Sequence, residues 1–485
     1  MERVVILPLD DRPLNFAAVA RAAAILSLEV VFPPRELMGS RERTPDLFHV
    51  ARWLISNGVD ASLVLSLDAL LYGGLIQARA AKPGSPRAQE GLKLLKHITS
   101  RTTSASAFLV WKRVWGNIFT QRSFERMPVF QQASVKLSEM ARESGVQVLY
   151  ERLAHKPESL CGLPLDDVAL LATTRHAMLL EAKQAVQACA SANIQLHIAV
   201  EDSIRGGVQE AELEWLRTNT DAPFTVADGA DEVGAVLLAA RAAMLPGIPR
   251  LKVFAGDSLD VVAPYESMTV GSNLRTLCGL VNADITGNAS AARMKVGGKP
   301  DDCDLFTQLA AGRMSAAEPD ALISAVIPAQ RFSDEVICEL TATNGINSSL
   351  LERFAKDAAP PLAISQMNTL SNRIGHALLL ATATAAPTLD DGIVRLIIVQ
   401  YIEDLFYNAY LRTWAVNKFG GIEPENEATC NAAEAEMSLI ATAFAQRKFN
   451  GACLMSKHLQ VGCVRLHLPW KRWFECEADI EVSLA

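Results

Sequence analysis

The chain has 485 residues, with 46 Lys and Arg against 54 Asp and Glu, a net charge of −8. Half of its residues are hydrophobic and 21% are charged, which excludes a disordered chain, a collagen-like repeat and a small disulfide scaffold. A pI near 5.6 excludes the basic face that a sequence-independent nucleic-acid binder needs.

The chain opens on an apolar run at 4–9, with no charged n-region, long apolar h-region or cleavage site of a secretory leader. No uninterrupted apolar stretch reaches the roughly 20 residues that span a bilayer. Further strand-like runs are predicted at 29–32, 61–67, 107–111, 146–150, 195–200, 224–227 and 251–255. Helices are predicted between them at 16–26, 44–56, 88–99, 121–143, 165–191, 210–219 and 231–243. This alternation predicts right-handed crossovers and a mainly parallel sheet covered on both faces. Eight such units within 265 residues fit a (β/α)₈ barrel; an open doubly wound sheet predicts the same rhythm.

Beyond Pro264 the pattern loosens. Strands are expected at 278–283, 321–327, 338–342 and 361–366. Helices are expected at 348–355, 371–381, 390–417 and 434–447, with an edge hairpin in the tail from 453. The expected division is an α/β catalytic domain at 1–265, a second α/β region contributing to the site at 266–387, and a mainly helical region at 388–485. The helix at 390–417 carries Tyr401, Phe406, Tyr407, Tyr410 and Trp414, a stripe that could be core, close over a site or form a homo-oligomer face. The nine cysteines include no C-x-x-C pair, which predicts free thiols in a reducing cytoplasm.

In parallel α/β folds ligands bind beyond the carboxyl ends of the strands. Charged groups follow nearly every apolar run here. The first run leads to Asp10-Asp11-Arg12-Pro13-Leu14-Asn15 and the third to Asp68, with Tyr72-Gly73-Gly74 close behind. The fourth leads to Lys112-Arg113, the fifth to Glu151-Arg152, the sixth to Glu201-Asp202, and the seventh and eighth to Asp228 and Asp257. Helix capping explains Asp231 and Asp257 as well as a site does. Later, Asn368, Thr369 and Asn372 flank a probable strand-to-helix junction, and Asn344 opens an Asn-Gly turn. Neutral amides and hydroxyls of this kind suit sugar hydroxyls and carbonyls.

The segment Leu9-Asp10-Asp11-Arg12-Pro13-Leu14-Asn15 resembles the opening motif of a large bacterial family of uncharacterised proteins, a domain of unknown function. Pro33-Pro34-Arg35-Glu36-Leu37, the stretch from Ser66 to Leu75, Asn344-Gly345 and the stretch from Met367 to Asn372 are similar to that family in order. The likeness spans roughly residues 1–415. It implies one evolutionary unit of bacterial, cytoplasmic origin, and it brings no assigned reaction. The family usually has Gly-Trp before the Asn-Thr pair, where this chain has Gln366-Met367.

Phosphate-loop, dinucleotide, nucleophile-elbow and H-E-x-x-H motifs are absent, and the eight histidines have no ligand spacing. The expected activity is that of a glycoside hydrolase or related carbohydrate-active enzyme without a cofactor. Asp10 or Asp11 with Asp68 would form the acid pair, and Glu201 with Asp202 the alternative pair. Arg12, Asn15, Tyr72, Gly73, Arg113, Asn344, Asn368, Thr369 and Asn372 would bind the sugar, with Trp111, Trp115 and Tyr72 as aromatic faces. One alternative is a Mg²⁺- or Mn²⁺-dependent hydrolase, lyase or isomerase on a small polar metabolite, its metal held by Asp10, Asp68, Glu201 and Asp257. Another is a non-catalytic sugar-binding protein. The expected partner is a small molecule, with no nucleic acid and no membrane.

Overall fold

The computed structural model describes residues 2–80, 84–114, 121–255, 259–286, 294–297, 318–340, 348–365, 369–385, 391–421, 423–454 and 456–484. The chain divides into two compact units. The first comprises Met1–Asp11, Leu28–Gly234 and Tyr265–Thr276; the second comprises Arg12–Ser27, Ala235–Pro264 and Leu277–Ala485.

The first unit is built on six strands: β1 (Glu2–Leu7), β2 (Leu28–Val31), β3 (Ser62–Ser66), β4 (Ser104–Trp111), β5 (Gln195–Val200) and β6 (Phe224–Asp228). Every neighbouring pair is parallel, in the order β2-β1-β3-β4-β5-β6. All five residues of β3 are buried, as are the last seven of β4, the pattern of strands covered on both faces. A barrel requires its end strands to pair. Among the described residues β2 and β6 do not, so the sheet is open and the barrel expectation is corrected.

One expected strand is a helix. Residues 146–150 lie in the helix Val146–His155, which buries Val146, Leu149, Tyr150 and Leu153. These positions are three, four and seven residues from the first, the spacing of a helix face, so packing overrides the β-branched composition of the run. Glu151 and Arg152 are consequently exposed on that helix and end no strand.

The second unit holds a five-stranded parallel sheet. Its strands are β7 (Lys252–Ala255), β8 (Asp284–Thr286), β9 (Met294–Gly297), β10 (Val336–Glu339) and β11 (Ala363–Ser365), in the order β11-β10-β9-β7-β8. The run at 251–255 therefore forms a strand, but in this sheet. The run expected at 321–327 starts as the helix Pro319–Ser324, with proline at a position that favours helix initiation, and that at 278–283 begins in the helix Val270–Leu280. The tail forms an antiparallel sheet of β12 (Cys453–Leu454), β13 (Lys457–His467) and β14 (Glu477–Leu484), packed on the helix Glu427–Phe449.

The aromatic stripe belongs to the core of this unit. It lies on Asp391–Gln400, a π-helical stretch Tyr401–Leu411 and Arg412–Phe419. Tyr401, Phe406 and Tyr407 are fully buried, and Phe406 stacks on Phe444 at 3.9 Å. Tyr410 is buried with them, and Trp414 at the end of the stripe is half-buried.

No described helix is long and apolar enough to cross a membrane, and the described cysteines are free thiols.

Candidate active site

The carboxyl ends of β3, β4 and β5 converge on one charged rim in the first unit. Ser66 closes β3 and caps the short helix Leu67–Leu71, its hydroxyl accepting the Ala69 N–H at 3.1 Å. That turn buries Asp68 completely. Its Oδ2 accepts the Val110 N–H at 2.7 Å, while Oδ1 has no hydrogen-bond partner. Burial pushes the Asp68 carboxyl up to about 6 against the opposing pull of Lys112 and, more weakly, Arg79.

Arg79 is bound to the end of β5. It forms an ion pair with Glu201, and its Nε–H donates to Glu201 Oε2 at 3.2 Å. The Arg113 backbone N–H reaches the same oxygen at 3.4 Å. Asp202 takes a left-handed backbone, φ 42°, and accepts from the Arg113 guanidinium at 3.3 Å. Arg79–Glu201 and Arg113–Asp202 are thus two ion pairs beside the end of β5, and Asp68 feels the charge of Arg79 weakly. Strand β4 separates β3 from β5, so the two acidic strand ends stand two strand spacings, about 10 Å, apart.

Lys112, at the end of β4, is half-buried, with its ammonium 4.1 Å from the centre of the Tyr72 ring. Burial draws its pKa down, against Asp68 and Glu181, which hold it up. The Tyr72 hydroxyl donates to Glu181 at 2.8 Å. Tyr72, Val110, Lys112 and Glu181 help to line a cavity of about 10 Å³, room for about one water. Gly73 and Gly74 carry φ of 101° and 139°, and Gly39 meets Gly73 so closely that a Cβ on Gly39 would lie 1.7 Å from the Gly73 carbonyl oxygen. These glycines serve a tight chain crossing.

Beneath the rim, Glu212 is fully buried and fully engaged. It accepts from the Trp111 indole at 2.9 Å, from the Tyr150 hydroxyl and twice from Arg175. Arg175 also donates to the Lys112 carbonyl at 2.7 Å, fixing the turn that presents Lys112 and Arg113. Trp111 is therefore a core anchor and is corrected as a sugar platform. At the end of β6, Asp228 accepts from Ser203, from both the N–H and hydroxyl of Ser267, and from Met268, and so clamps the 265–276 segment.

The other expected site residues divide as follows. Asp10 is buried just beyond β1. Asp11 donates its N–H to the Gly39 carbonyl and pairs with Arg43 at 3.3 Å. Arg12 and Asn15 belong to the second unit, where the Arg12 guanidinium lies 5.3 Å from the Trp470 ring centre. Thr369 and Asn372 are buried at the start of the helix Leu370–Thr384, also in the second unit. Asn344, Asn368, Trp115 and Asp257 lie outside the described residues. Among the described residues, no group of three or more His, Cys, Asp or Glu is placed to hold a metal ion.

Sequence reasoning placed Lys112 at a strand end without giving it a role, and missed Arg79, Glu181, Arg175 and Glu212. The strand-end rule that selected Arg113 applies equally to Lys112. The other four lie inside helices, where nothing local marks them.

Fold and rim together define an α/β protein with carboxyl groups and cations gathered at the ends of parallel strands. The chain belongs to the family described as protein of unknown function (DUF4127), whose model matches residues 4–479. No curated protein matches it, and no solved structure does.

Proposed function

We propose that the chain is a glycoside hydrolase or related carbohydrate-active enzyme, with Asp68 as proton donor and Glu201 as base. The observation that carries this reading is the contrast between a carboxyl that burial holds near neutrality and one that is held by a cation. Asp68 is pushed to about 6 with a bare oxygen, while Glu201 is ion-paired on the strand beyond β4. A carboxyl that burial keeps protonated beside a carboxylate held by a cation is the arrangement that an acid–base pair needs. Two strand spacings, about 10 Å, leave room between the strand ends for the attacking water that an inverting enzyme holds between its carboxyls.

In the proposed step Asp68 gives its proton to the glycosidic oxygen as the bond to the anomeric carbon breaks. Glu201 takes a proton from the water that attacks the opposite face. Asp68 is fully buried, so substrate binding must open its cover. The chain is read as a cytoplasmic protein acting on a small-molecule substrate, without nucleic acid or membrane; the free thiols and acidic composition support this.

The test is sugar release from a panel of nitrophenyl glycosides, with the anomer followed by proton NMR. Asp68→Asn is expected to lower turnover about 10²–10⁴-fold with ligand affinity retained. Turnover unchanged in Asp68→Asn contradicts the assignment. Activity restored by Mg²⁺ or Mn²⁺ and lost with chelator would replace it with a carboxylate-ligated metal enzyme.

A further inference from the structure

The helix Leu370–Thr384 of the second unit buries every one of its residues. Its N-cap is Thr369, and Asn372 is the third residue inside. A threonine and an amide at these positions ordinarily close a helix start on itself. The hydroxyl accepts the N–H of the third residue, and that residue's side chain reaches back to the cap. Here Thr369 makes no side-chain cap bond, and both Thr369 Oγ1 and Asn372 Oδ1 are buried without a hydrogen-bond partner. The two residues are only 6% and 3% exposed. The Arg373 N–H bonds back to the Thr369 carbonyl at 3.2 Å, and the N–H groups ahead of it in the first turn have no acceptor within the helix. Asp46, Ser66 and Asn426 cap their helices conventionally, at 3.0, 3.1 and 2.9 Å.

A ligand group that suits this helix start must accept from backbone N–H and donate to Asn372 Oδ1. A hydroxyl does both. An ionised phosphate or carboxylate satisfies the N–H groups but sets negative charge against the amide oxygen. We propose that Thr369, Asn372 and the first turn of this helix bind neighbouring hydroxyls of a sugar or related polyol. The site stands on its own geometry; only its ligand as substrate rests on the carbohydrate reading above.

The experiment is thermal unfolding and calorimetry of the full chain with methyl glycosides of glucose, galactose, mannose and xylose, and with inorganic phosphate as a separate arm. At least one glycoside is expected to bind. Thr369→Val and Asn372→Leu should each weaken it about tenfold or more, the loss of a hydrogen bond to a buried polar group. Thr369→Ser and Asn372→Asp keep a hydroxyl and an acceptor oxygen, should retain binding, and decide the matter if the apolar variants do not fold. The proposal is overturned if no glycoside binds, if the apolar variants bind as the wild type does, if Asn372→Asp loses the sugar, or if phosphate binds and the variants abolish it. Asp68→Asn should bind the sugar normally. If it also hydrolyses normally, the acid assignment fails while this site stands.

Discussion

Glu212 and Asp68 are both completely buried carboxyls of the first unit, and their surroundings are opposite. Glu212 receives an indole, a phenol and two guanidinium hydrogen bonds, with Arg175 supplying the countercharge. Asp68 receives one backbone N–H and leaves an oxygen bare. A buried charge that every neighbour satisfies braces a turn. A buried acid left half-satisfied sits near neutrality and has a proton to give. Burial alone does not separate a structural carboxyl from a chemical one; the count and charge of its partners do.

Breaking the satisfied side should cost most. Arg175→Met leaves Glu212 charged and short of its main partner, and should destabilise the first unit by about 3–5 kcal/mol in denaturant unfolding. Replacing both members, Arg175→Met with Glu212→Leu, should cost less than the sum of the single changes. Asp68→Asn has the opposite sign. It removes a carboxyl that is hard to ionise, and should stabilise the protein by about 3 kcal/mol at neutral pH relative to its effect at pH 3.

Smaller effects sharpen the contrast. Tyr72→Phe deletes one hydrogen bond to Glu181, and a shift of about 1 kcal/mol in the unfolding free energy is expected. Asp11→Asn removes a partly exposed ion pair with Arg43, and less than about 1 kcal/mol should be lost. A large loss of stability in Asp11→Asn would mean that this acid braces the fold as Glu212 does.

The sequence makes strands legible where apolar runs are short and sharply bounded. The run at 195–200 is β5, and that at 224–227 is β6 with one further residue. It misleads at 146–150, where a valine-rich run is also one turn and a half of amphipathic helix. The rim was half visible. Asp68, Glu201, Asp202 and Arg113 each follow an apolar run, and charge at such a place must find water, a partner or a ligand. Their partners were hidden because contact across a sheet is not written in local spacing. Arg79 reaches Glu201 over 122 residues, and Arg175 reaches Glu212 from a different helix. Asp11 shows the same limit: Arg43, which pairs with it, lies 32 residues away.

The most direct test of Asp68 as a proton-bearing acid is the stability difference between Asp68→Asn and wild type, followed by denaturant midpoints from pH 3 to 8. A carboxyl whose folded pKa is raised to about 6 stays protonated in the folded chain while the unfolded chain ionises near pH 4. Wild-type stability should therefore fall relative to the variant as pH rises from about 4 to 6, and the gap should level off above 6. Parallel curves across the whole range would mean that Asp68 titrates alike in both states, and would contradict the acid assigned to it.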